Sequence, residues 1–207
     1  MFEVCGDILA KWNSLGGMSG KLGAPRSNEN VLPDGRGRTT WFWGGTVYWT
    51  STTGAHPVWG QIGYHWGQLG WENGLGYPVS DEFLNPDGVG YRQAFESDYS
   101  IYWSPATGPA SIGGTLGARW GQFGYEGGEL GYPLADQEDL GAGLMQGFQN
   151  GNLYFKSGSS PYWVHGEILN KFNQMGGIGN AGWPTGEEYE YFEGRAQNFE
   201  QKIIYWG

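Results

Sequence analysis

Pairs of carboxylate or amide side chains follow four prolines at the same spacing, and paired carboxylates are the residues that hydrolyse glycosidic bonds in most glycosidases. The pairs are Asp81-Glu82, Glu187-Glu188, Asn28-Glu29 and Asp136-Gln137. Because the position recurs throughout the chain, a single catalytic pair is disfavoured. We expect these residues to cap the next segment or to line equivalent ligand grooves, with Asp81 and Glu82 as the candidates for ligand binding.

Other catalytic chemistry finds little support in the sequence. A serine or cysteine nucleophile needs a base within reach, and only His56, His65 and His165 could supply an imidazole. No Gly-x-Ser-x-Gly elbow, His-Glu-x-x-His helix or acidic calcium loop occurs, and Cys5 is the one cysteine. We therefore predict a chain that is not an enzyme and that has no cofactor and no metal site.

Aromatic side chains are the better candidates for binding, because sugar rings stack on aromatic faces while polar neighbours bind hydroxyl groups. Seven of the 12 tryptophans occupy recurring positions and are predicted to lie in the core. They are Trp12, Trp49, Trp66, Trp103, Trp120, Trp183 and Trp206. The other five recur less regularly; they are Trp41, Trp43, Trp59, Trp71 and Trp163.

Trp71 is the favoured platform because Glu72 and Asn73 follow it directly. Tyr125-Glu126 is the equivalent in the third repeat, whereas Met18 and Ile178 occupy the matching region in repeats one and four. A second candidate cluster combines aromatic and basic residues. It consists of Trp41 and Trp43 with Arg36 and Arg38. The alternative for all these rings is that they cover neighbouring repeats.

The elements that must position these residues form a repeat of about 50 residues. A G-x-(I/L)-x-x-x-(W/F) pattern predicts a short helix, since residues four apart share one helix face. An apolar-glycine pair predicts the end of each helix, and a Leu-Gly-aromatic-Pro turn follows. The pairs are Leu15-Gly16, Leu69-Gly70, Phe123-Gly124 and Met175-Gly176.

The third block of each repeat predicts a β-hairpin that begins at a phenylalanine and ends at an aromatic pair. The predicted hairpins are 42–49, 95–103, 148–155 and 199–206. One such unit buries too little apolar surface to fold alone, so we expect one domain over residues 1–207. Its repeats are about 4–57, 58–110, 111–162 and 163–207. The predicted fold is α+β and β-rich, closed in a propeller-like ring with pseudo-fourfold symmetry, with an open stack as the alternative.

The recurring tetrapeptide resembles that of the LGFP repeat family. Leu75-Gly76-Tyr77-Pro78 and Leu130-Gly131-Tyr132-Pro133 match it with tyrosine for phenylalanine, while Leu22-Gly23-Ala24-Pro25 and Ala181-Gly182-Trp183-Pro184 depart further. Such repeats are familiar from actinobacterial cell-envelope proteins, where they are thought to anchor the protein to wall polysaccharide. The resemblance thus implies glycan binding outside the cell.

Three functions are compatible with these patterns. The first is a non-catalytic carbohydrate-binding or lectin-like repeat domain with several shallow sites; the rivals are a glycan hydrolase using Asp and Glu, and a protein-binding scaffold. A net charge of −10 argues against nucleic acid, and no apolar run approaches the length of about 18 residues that spans a membrane. No signal segment begins the chain, so either it is a mature or trimmed form or its location is cytoplasmic, and the oligomeric state is open.

Overall fold

Four nine-residue helices begin at the glycines where the sequence predicts helix starts, in a computed structural model that describes residues 2–207. They are α1 (Gly6–Ser14), α2 (Gly60–Gln68), α3 (Gly114–Gln122) and α4 (Gly166–Gln174). The predicted apolar face is buried, as Ile62 and Trp66 of α2 show at 1% exposure each. Each helix is followed by its predicted glycine, and Gly70 has a φ of 93° that a side chain would strain.

A short turn of helix follows each of these glycines. Three of the turns are 3₁₀ turns, Gly17–Ser19, Trp71–Asn73 and Tyr125–Gly127, and the fourth is a short α-helix, α5 (Ile178–Ala181). The Leu-Gly-aromatic-Pro segment comes next in every repeat. Its proline forms an isolated β-bridge to a phenylalanine of the same repeat, as Pro78 does with Phe95.

The remaining chain forms short strands in four antiparallel sheets. The strands are β1 (Asn30–Val31), β2 (Arg38–Phe42), β3 (Gly45–Thr50), β4 (Gly54–Val58), β5 (Phe83–Leu84), β6 (Tyr91–Ala94), β7 (Tyr99–Ser104), β8 (Gly108–Gly113), β9 (Glu138–Asp139), β10 (Gly143–Phe148), β11 (Gly151–Lys156), β12 (Tyr162–Val164), β13 (Tyr189–Tyr191), β14 (Gly194–Asn198) and β15 (Ile203–Trp206). Neighbours in each sheet are consecutive in the chain. The chain is therefore an α+β repeat protein.

The hairpins occur in all four repeats, but their registers differ from the prediction. Phe42 ends β2 and pairs with Gly45, so the strand lies before the phenylalanine and the turn is Trp43-Gly44. Phe148 likewise ends β10 opposite Gly151. The prediction placed the first strand of each hairpin too late in the chain. That strand lies upstream of the phenylalanine, where it also pairs with a short outer strand, as β2 does with β1.

The helix tryptophan links the three blocks of each of the first three repeats. Its indole N–H donates to the carbonyl of the motif glycine in repeats one to three, over 2.9 Å from Trp12 to Gly23, 3.2 Å from Trp66 to Gly76 and 3.0 Å from Trp120 to Gly131. The ring also packs on the phenylalanine at the end of the hairpin strand, with Trp66 and Phe95 stacked at 5.5 Å between centroids. Helix, turn and sheet thus share one aromatic contact.

The motif aromatic residue of repeat two, Tyr77, contacts repeat one. The Tyr77 hydroxyl donates a hydrogen bond to Asp34 Oδ2 over 2.8 Å. Asp34 lies in the turn before β2 of the preceding repeat. Gly37 lies directly against the tyrosine, since a Cβ there would be 2.1 Å from the hydroxyl oxygen. Burial and the Asp34 carboxylate both raise the pKa of Tyr77, so the hydroxyl remains a donor.

The helices and strands divide into two compact units. Unit 1 extends to Pro109, and unit 2 is Ala110–Gly207. Unit 1 holds repeats one and two, with core clusters around Ile8 and Phe42 and around Trp66 and Phe95. Unit 2 holds repeats three and four, with a cluster around Phe172. A single domain and closure into a ring stay predictions.

The predicted core tryptophans divide by burial. Trp66, Trp120 and Trp183 are buried, whereas Trp206 is exposed. The prediction of a core position is therefore wrong for Trp206, because the last sheet presents this residue to solvent.

Replacing Trp66 with phenylalanine, the type that the fourth repeat has at this position, should lower the free energy of unfolding by about 1–3 kcal/mol. The change removes the bond to the Gly76 carbonyl and leaves a small cavity. Urea unfolding measures the effect. Trp206→Phe, at an exposed site, is the matched control and should change the unfolding free energy by less than about 0.5 kcal/mol. Equal losses in both variants would contradict the assignment.

Candidate functional site

Glu82, one of the predicted ligand-binding carboxylates, lies in a cleft of unit 1. Its Oε1 accepts a hydrogen bond from Trp59 Nε1 over 2.7 Å. Lys21 Nζ is 3.4 Å from the same oxygen and 3.9 Å from the centre of the Trp59 ring. An indole, an ammonium group and a carboxylate from three segments therefore meet at one place.

The cleft around Trp59, called the Trp59 cleft below, has a volume of about 430 Å³. Tyr91 and Trp103 line it with Trp59, and their rings pack together at 6.3 Å between centroids. Gln61 at the start of α2 adds an amide. The volume lies in the range of small-molecule sites, and aromatic walls with a few polar groups are their usual lining.

Asp81 is directed to an ion cluster instead of this cleft. Its carboxylate accepts hydrogen bonds from Lys11 Nζ over 3.0 and 3.1 Å and from His56 Nδ1 over 2.7 Å. His56 Nε2 lies 3.0 Å from the carbonyl oxygen of Thr53. Asp81 and the Thr53 carbonyl both face this imidazole as acceptors when Asp81 is ionised.

The ion cluster has a structural reason. In repeats three and four the equivalent carboxylate accepts from a backbone N–H, Asp136 from Ser111 over 2.7 Å and Glu187 from Trp163 over 3.2 Å. The corresponding residue of repeat two is Pro57, which has no N–H. The side chains of His56 and Lys11 supply the missing donors. Asp81 is thus positioned to hold repeats together.

Trp71 has a left-handed backbone with a φ of 51°, a conformation that costs a residue with a Cβ about 1–2 kcal/mol. Tyr125 has the same conformation at 56°. The residues with a similar positive φ in repeats one and four are Gly17 and Gly177, not the neighbouring Met18 and Ile178. Glycine adopts a positive φ without strain and so suits this position. Repeats two and three have an aromatic residue there instead.

Each of these rings packs against a glycine of the preceding helix. Trp71 lies over Gly67, where a Cβ would approach the indole nitrogen to 3.0 Å, and Tyr125 lies over Gly121, where a Cβ would come within 2.8 Å. Repeats one and four have asparagine at that helix position, Asn13 and Asn173. The aromatic residue and the glycine beneath it therefore occur together.

Trp71 is 53% exposed and lines a hollow of about 190 Å³ in unit 1, called the Trp71 hollow below. Trp59 and Tyr64 also line it, so the hollow adjoins the Trp59 cleft at Trp59. Burial and the nearby Glu72 carboxylate raise the pKa of Tyr48, on its floor, to about 12. Asn73 is exposed beside them.

Tyr125 and Glu126 are placed differently in unit 2. Tyr125 is half exposed and packs edge-on against Trp120 at 5.4 Å. Glu126 is 8% exposed, and its Oε2 has no hydrogen-bond partner among residues 2–207. Glu126 is therefore turned inward, whereas the ring of Tyr125 faces solvent.

The structure separates the predicted cluster at Trp41 and Trp43. Both rings are exposed, but Arg38 pairs with Glu29 over 2.9 Å and Arg36 pairs with Glu96 over 2.6 Å. The arginine on Trp43 is Arg26, whose guanidinium carbon lies 4.3 Å from the ring centre. These residues form an open surface and line neither the Trp59 cleft nor the Trp71 hollow.

Sequence reasoning missed Lys21, Tyr91 and Trp103 as lining residues and left Trp59 unassigned. Trp59 directly precedes α2, and Lys21 and Glu82 lie 61 positions apart. The one available signal was that Trp59 fits none of the recurring aromatic positions. Among residues 2–207, no group of three His, Cys, Asp or Glu is placed to hold a metal ion. None of the helices in that range has the length and apolar character needed to cross a bilayer.

Comparison with known families finds one match. The model of the LGFP repeat matches residues 22–74, 75–128 and 130–179. Each matched segment starts at or beside the Leu-Gly turn and includes the following helix, so the family places the repeat boundary at the turn. No curated protein matches the chain.

The ion cluster at Asp81 should make stability depend on acid pH. Burial raises the pKa of Asp81, but the hydrogen bonds from His56 and Lys11 outweigh it and hold the pKa below the ordinary value of 3.8. The stabilisation is complete above pH 3.8 and is lost as pH falls through the lowered pKa. Urea unfolding should show Asp81→Asn less stable than wild type near neutral pH, with the difference shrinking below pH 3.8. Asp98→Asn, in an exposed turn, is the control, and a pH-independent difference for Asp81→Asn would contradict the reasoning.

Backbone strain at Trp71 can be measured separately from the loss of its ring. Trp71→Gly and Trp71→Ala remove the same contacts, but only glycine relieves the positive φ. We expect Trp71→Gly to be more stable than Trp71→Ala by about 1 kcal/mol in urea unfolding. Equal stabilities would show that the left-handed conformation carries no strain.

Proposed function

This chain belongs to the LGFP repeat family, and we propose that it is a non-catalytic carbohydrate-binding repeat protein. Its principal site is the Trp59 cleft of unit 1. The observation that carries the proposal is the meeting of Trp59, Lys21 and Glu82 in a cleft with two further aromatic walls.

The aromatic walls favour a sugar as the ligand. A pyranose ring presents C–H groups on its faces and hydroxyl groups around its edge, so it fits between apolar rings and polar side chains. Trp59, Tyr91 and Trp103 supply rings on the sides of the cleft. The cleft is large enough for a small ligand at about 430 Å³, and the Trp71 hollow, at about 190 Å³, is below the usual range.

The polar groups favour hydroxyl recognition. The carboxylate of Glu82 accepts hydrogen bonds and the ammonium group of Lys21 donates them, and the two are held 3.4 Å apart. Adjacent hydroxyls on one sugar can engage an acceptor and a donor together. The net charge of −10 and the single lysine at this cleft are unsuited to a polyphosphate chain.

Binding without turnover is favoured by the carboxylate arrangement. Most glycosidases need two carboxyl groups across the scissile bond. Glu82 is the one carboxylate among the residues that line the Trp59 cleft, and Asp81 is engaged by Lys11 and His56. Glu82 itself is tied to Trp59 and Lys21, which suits a fixed recognition group.

The proposed ligand class is a glycan or cell-wall polysaccharide, taken from the family resemblance, and an extracellular location belongs to the same proposal. A polymer could contact the Trp59 cleft and the adjoining Trp71 hollow together, since both include Trp59. The exposed ring of Tyr125 offers a further contact in unit 2. Several weak contacts to one polymer raise its apparent affinity through effective concentration.

A glycan array that includes wall polysaccharides, followed by calorimetry on each hit, tests the proposal. Trp59→Ala should weaken binding about tenfold, which is the effect of losing one well-placed aromatic contact. Glu82→Gln, which installs the residue type of repeat three, should weaken binding less because an amide oxygen still accepts. Trp43→Ala, at an exposed site outside the cleft, is the control and should bind as wild type.

Two results would count against this function. Binding that survives Trp59→Ala but is lost in Trp43→Ala would move the site to the open surface around Trp43. Release of reducing ends from a bound glycan, if Glu82→Gln abolishes it, would show that the protein is a glycan hydrolase.

A further inference from the structure

Unit 2 has a cleft of its own beside α3. Its volume is about 360 Å³, which lies in the range of small-molecule sites. Thr115, Arg119 and Gln122 line it from the helix, and Ser160 and Tyr162 line it from the turn before β12 and from that strand. This cleft, called the Arg119 cleft below, shares no lining residue with the Trp59 cleft.

Arg119 is held in one orientation by three contacts. Its Nη1 donates to Gln122 Oε1 and its Nη2 donates to Glu187 Oε1, each over 2.5 Å. Its guanidinium carbon lies 4.5 Å from the centre of the Phe123 ring. The side chain is nevertheless 24% exposed, and a guanidinium has more N–H donors than these two bonds use. Arg119 is therefore a preorganised donor on the wall of the cleft.

Glu187 also lines the cleft and places an acceptor beside this donor. Its Oε1 accepts from Arg119, and its Oε2 accepts from the backbone N–H of Trp163 over 3.2 Å. The side chain is 38% exposed, and each carboxylate oxygen can accept a further hydrogen bond. A fixed donor and a fixed acceptor thus lie next to each other.

In unit 1 the protein's own side chains meet at the equivalent place. The positions of Tyr162 and Glu187 are held there by His56 and Asp81, which are hydrogen-bonded over 2.7 Å. In unit 2 the bonds to the carboxylate come from the arginine and the backbone, and the tyrosine forms a wall of the cleft. Tyr162 is partly exposed, so its ring and hydroxyl can face a ligand.

We propose that the Arg119 cleft is a second glycan site, which recognises the hydroxyl edge of a neutral sugar. The inference rests on the proposed function for its ligand class, but it concerns a separate place in the molecule. Adjacent sugar hydroxyls can donate to Glu187 and accept from Arg119 together. The Tyr162 ring offers an apolar face to sugar C–H groups, and the exposed residues Thr115 and Ser160 add hydroxyls.

The charges favour a neutral sugar over a sugar acid. A ligand carboxylate that bonded to Arg119 would lie beside the carboxylate of Glu187, and like charges repel most strongly where water is partly excluded. The two protein charges already balance each other. The net charge of −10 on the chain opposes an anion further. Uronic acids should therefore bind more weakly than the corresponding neutral sugars.

Nuclear magnetic resonance on the full chain tests both sites in one titration. The Trp59 Nε1–H and the Arg119 Nε–H give separate side-chain signals in a proton–nitrogen correlation spectrum. The probes are the methyl glycosides of glucose, galactose, mannose and glucuronic acid, added to about 100 mM so that weak single sites fill. A neutral glycoside should shift the Arg119 signal saturably, and the glucuronide should bind there at least about fivefold more weakly than the glucoside.

A substitution that fills the cleft separates binding from other causes of a shift. Ala118→Gln adds a longer neutral side chain at an exposed helix position that lines the cleft, with little cost in helix propensity. It should weaken the binding reported by Arg119 at least about tenfold and leave the Trp59 response unchanged. Ala10→Gln, at the equivalent exposed position of α1, is the matched control and should leave both responses as in wild type.

The two signals distinguish failure of this inference from failure of the proposed function. Neutral glycosides that shift Trp59 but not Arg119, or an Arg119 response that persists in Ala118→Gln, would overturn the second site and leave the Trp59 cleft in place. An Arg119 response without a Trp59 response would support the second site and contradict the Trp59 cleft as the principal one. Tighter binding of the glucuronide than of the glucoside would overturn the assignment to neutral sugars.

Discussion

The hydrogen bond from a helix tryptophan to the carbonyl of the motif glycine is the contact on which each of the first three repeats depends. It ties the helix to the turn, as Trp66 does to Gly76, while the same ring stacks on the hairpin residue Phe95. A buried indole N–H usually has a hydrogen-bond partner, and here the bond fixes where the turn lies relative to the helix. The fourth repeat has Phe172 in place of tryptophan and retains only the stacking, at 4.9 Å on Phe199.

The repeat scaffold holds two polar positions after each proline that the chain uses in different ways. The side chain at the first position accepts a hydrogen bond from a backbone N–H of the strand before the helix. In repeat two the strand residue is Pro57, which has no N–H, and Asp81 pairs with His56 and Lys11 instead. The second position meets the residue just before the helix, where Glu82 accepts a hydrogen bond from Trp59 and Gln137 donates one to the Gly113 carbonyl. Substitutions at these positions, on an unchanged framework, give repeat two its cleft.

Trp71 shows where the scaffold and its side chains conflict. Its positive φ suits glycine, which repeats one and four have at this position. The helix beneath it has a glycine, Gly67, where a side chain would collide with the ring. Positions that break a local rule are expected at functional surfaces. The conflict at Trp71 and Tyr125 is thus a better indication of function than their exposure alone, because exposed aromatic rings also occur at other places, such as Trp43 and Phe192.

The sequence by itself determined the repeats, the four helices with their glycine ends and the turns, because the spacing of apolar residues and glycines is a local property. It also identified two candidate binding residues. Glu82 belongs to the polar pairs that recur after the prolines, and Trp71 is one of the tryptophans that do not recur regularly. It misplaced the first hairpin strands, and it could not join Lys21 to Glu82 or distinguish Asp81 from its neighbour. Those outcomes depend on contacts between residues far apart in the chain, such as the 61 positions from Lys21 to Glu82. Only the tertiary structure decided which carboxylate faces a cleft and which one binds its own protein, because that choice rests on a missing N–H at Pro57 and on donors from another repeat.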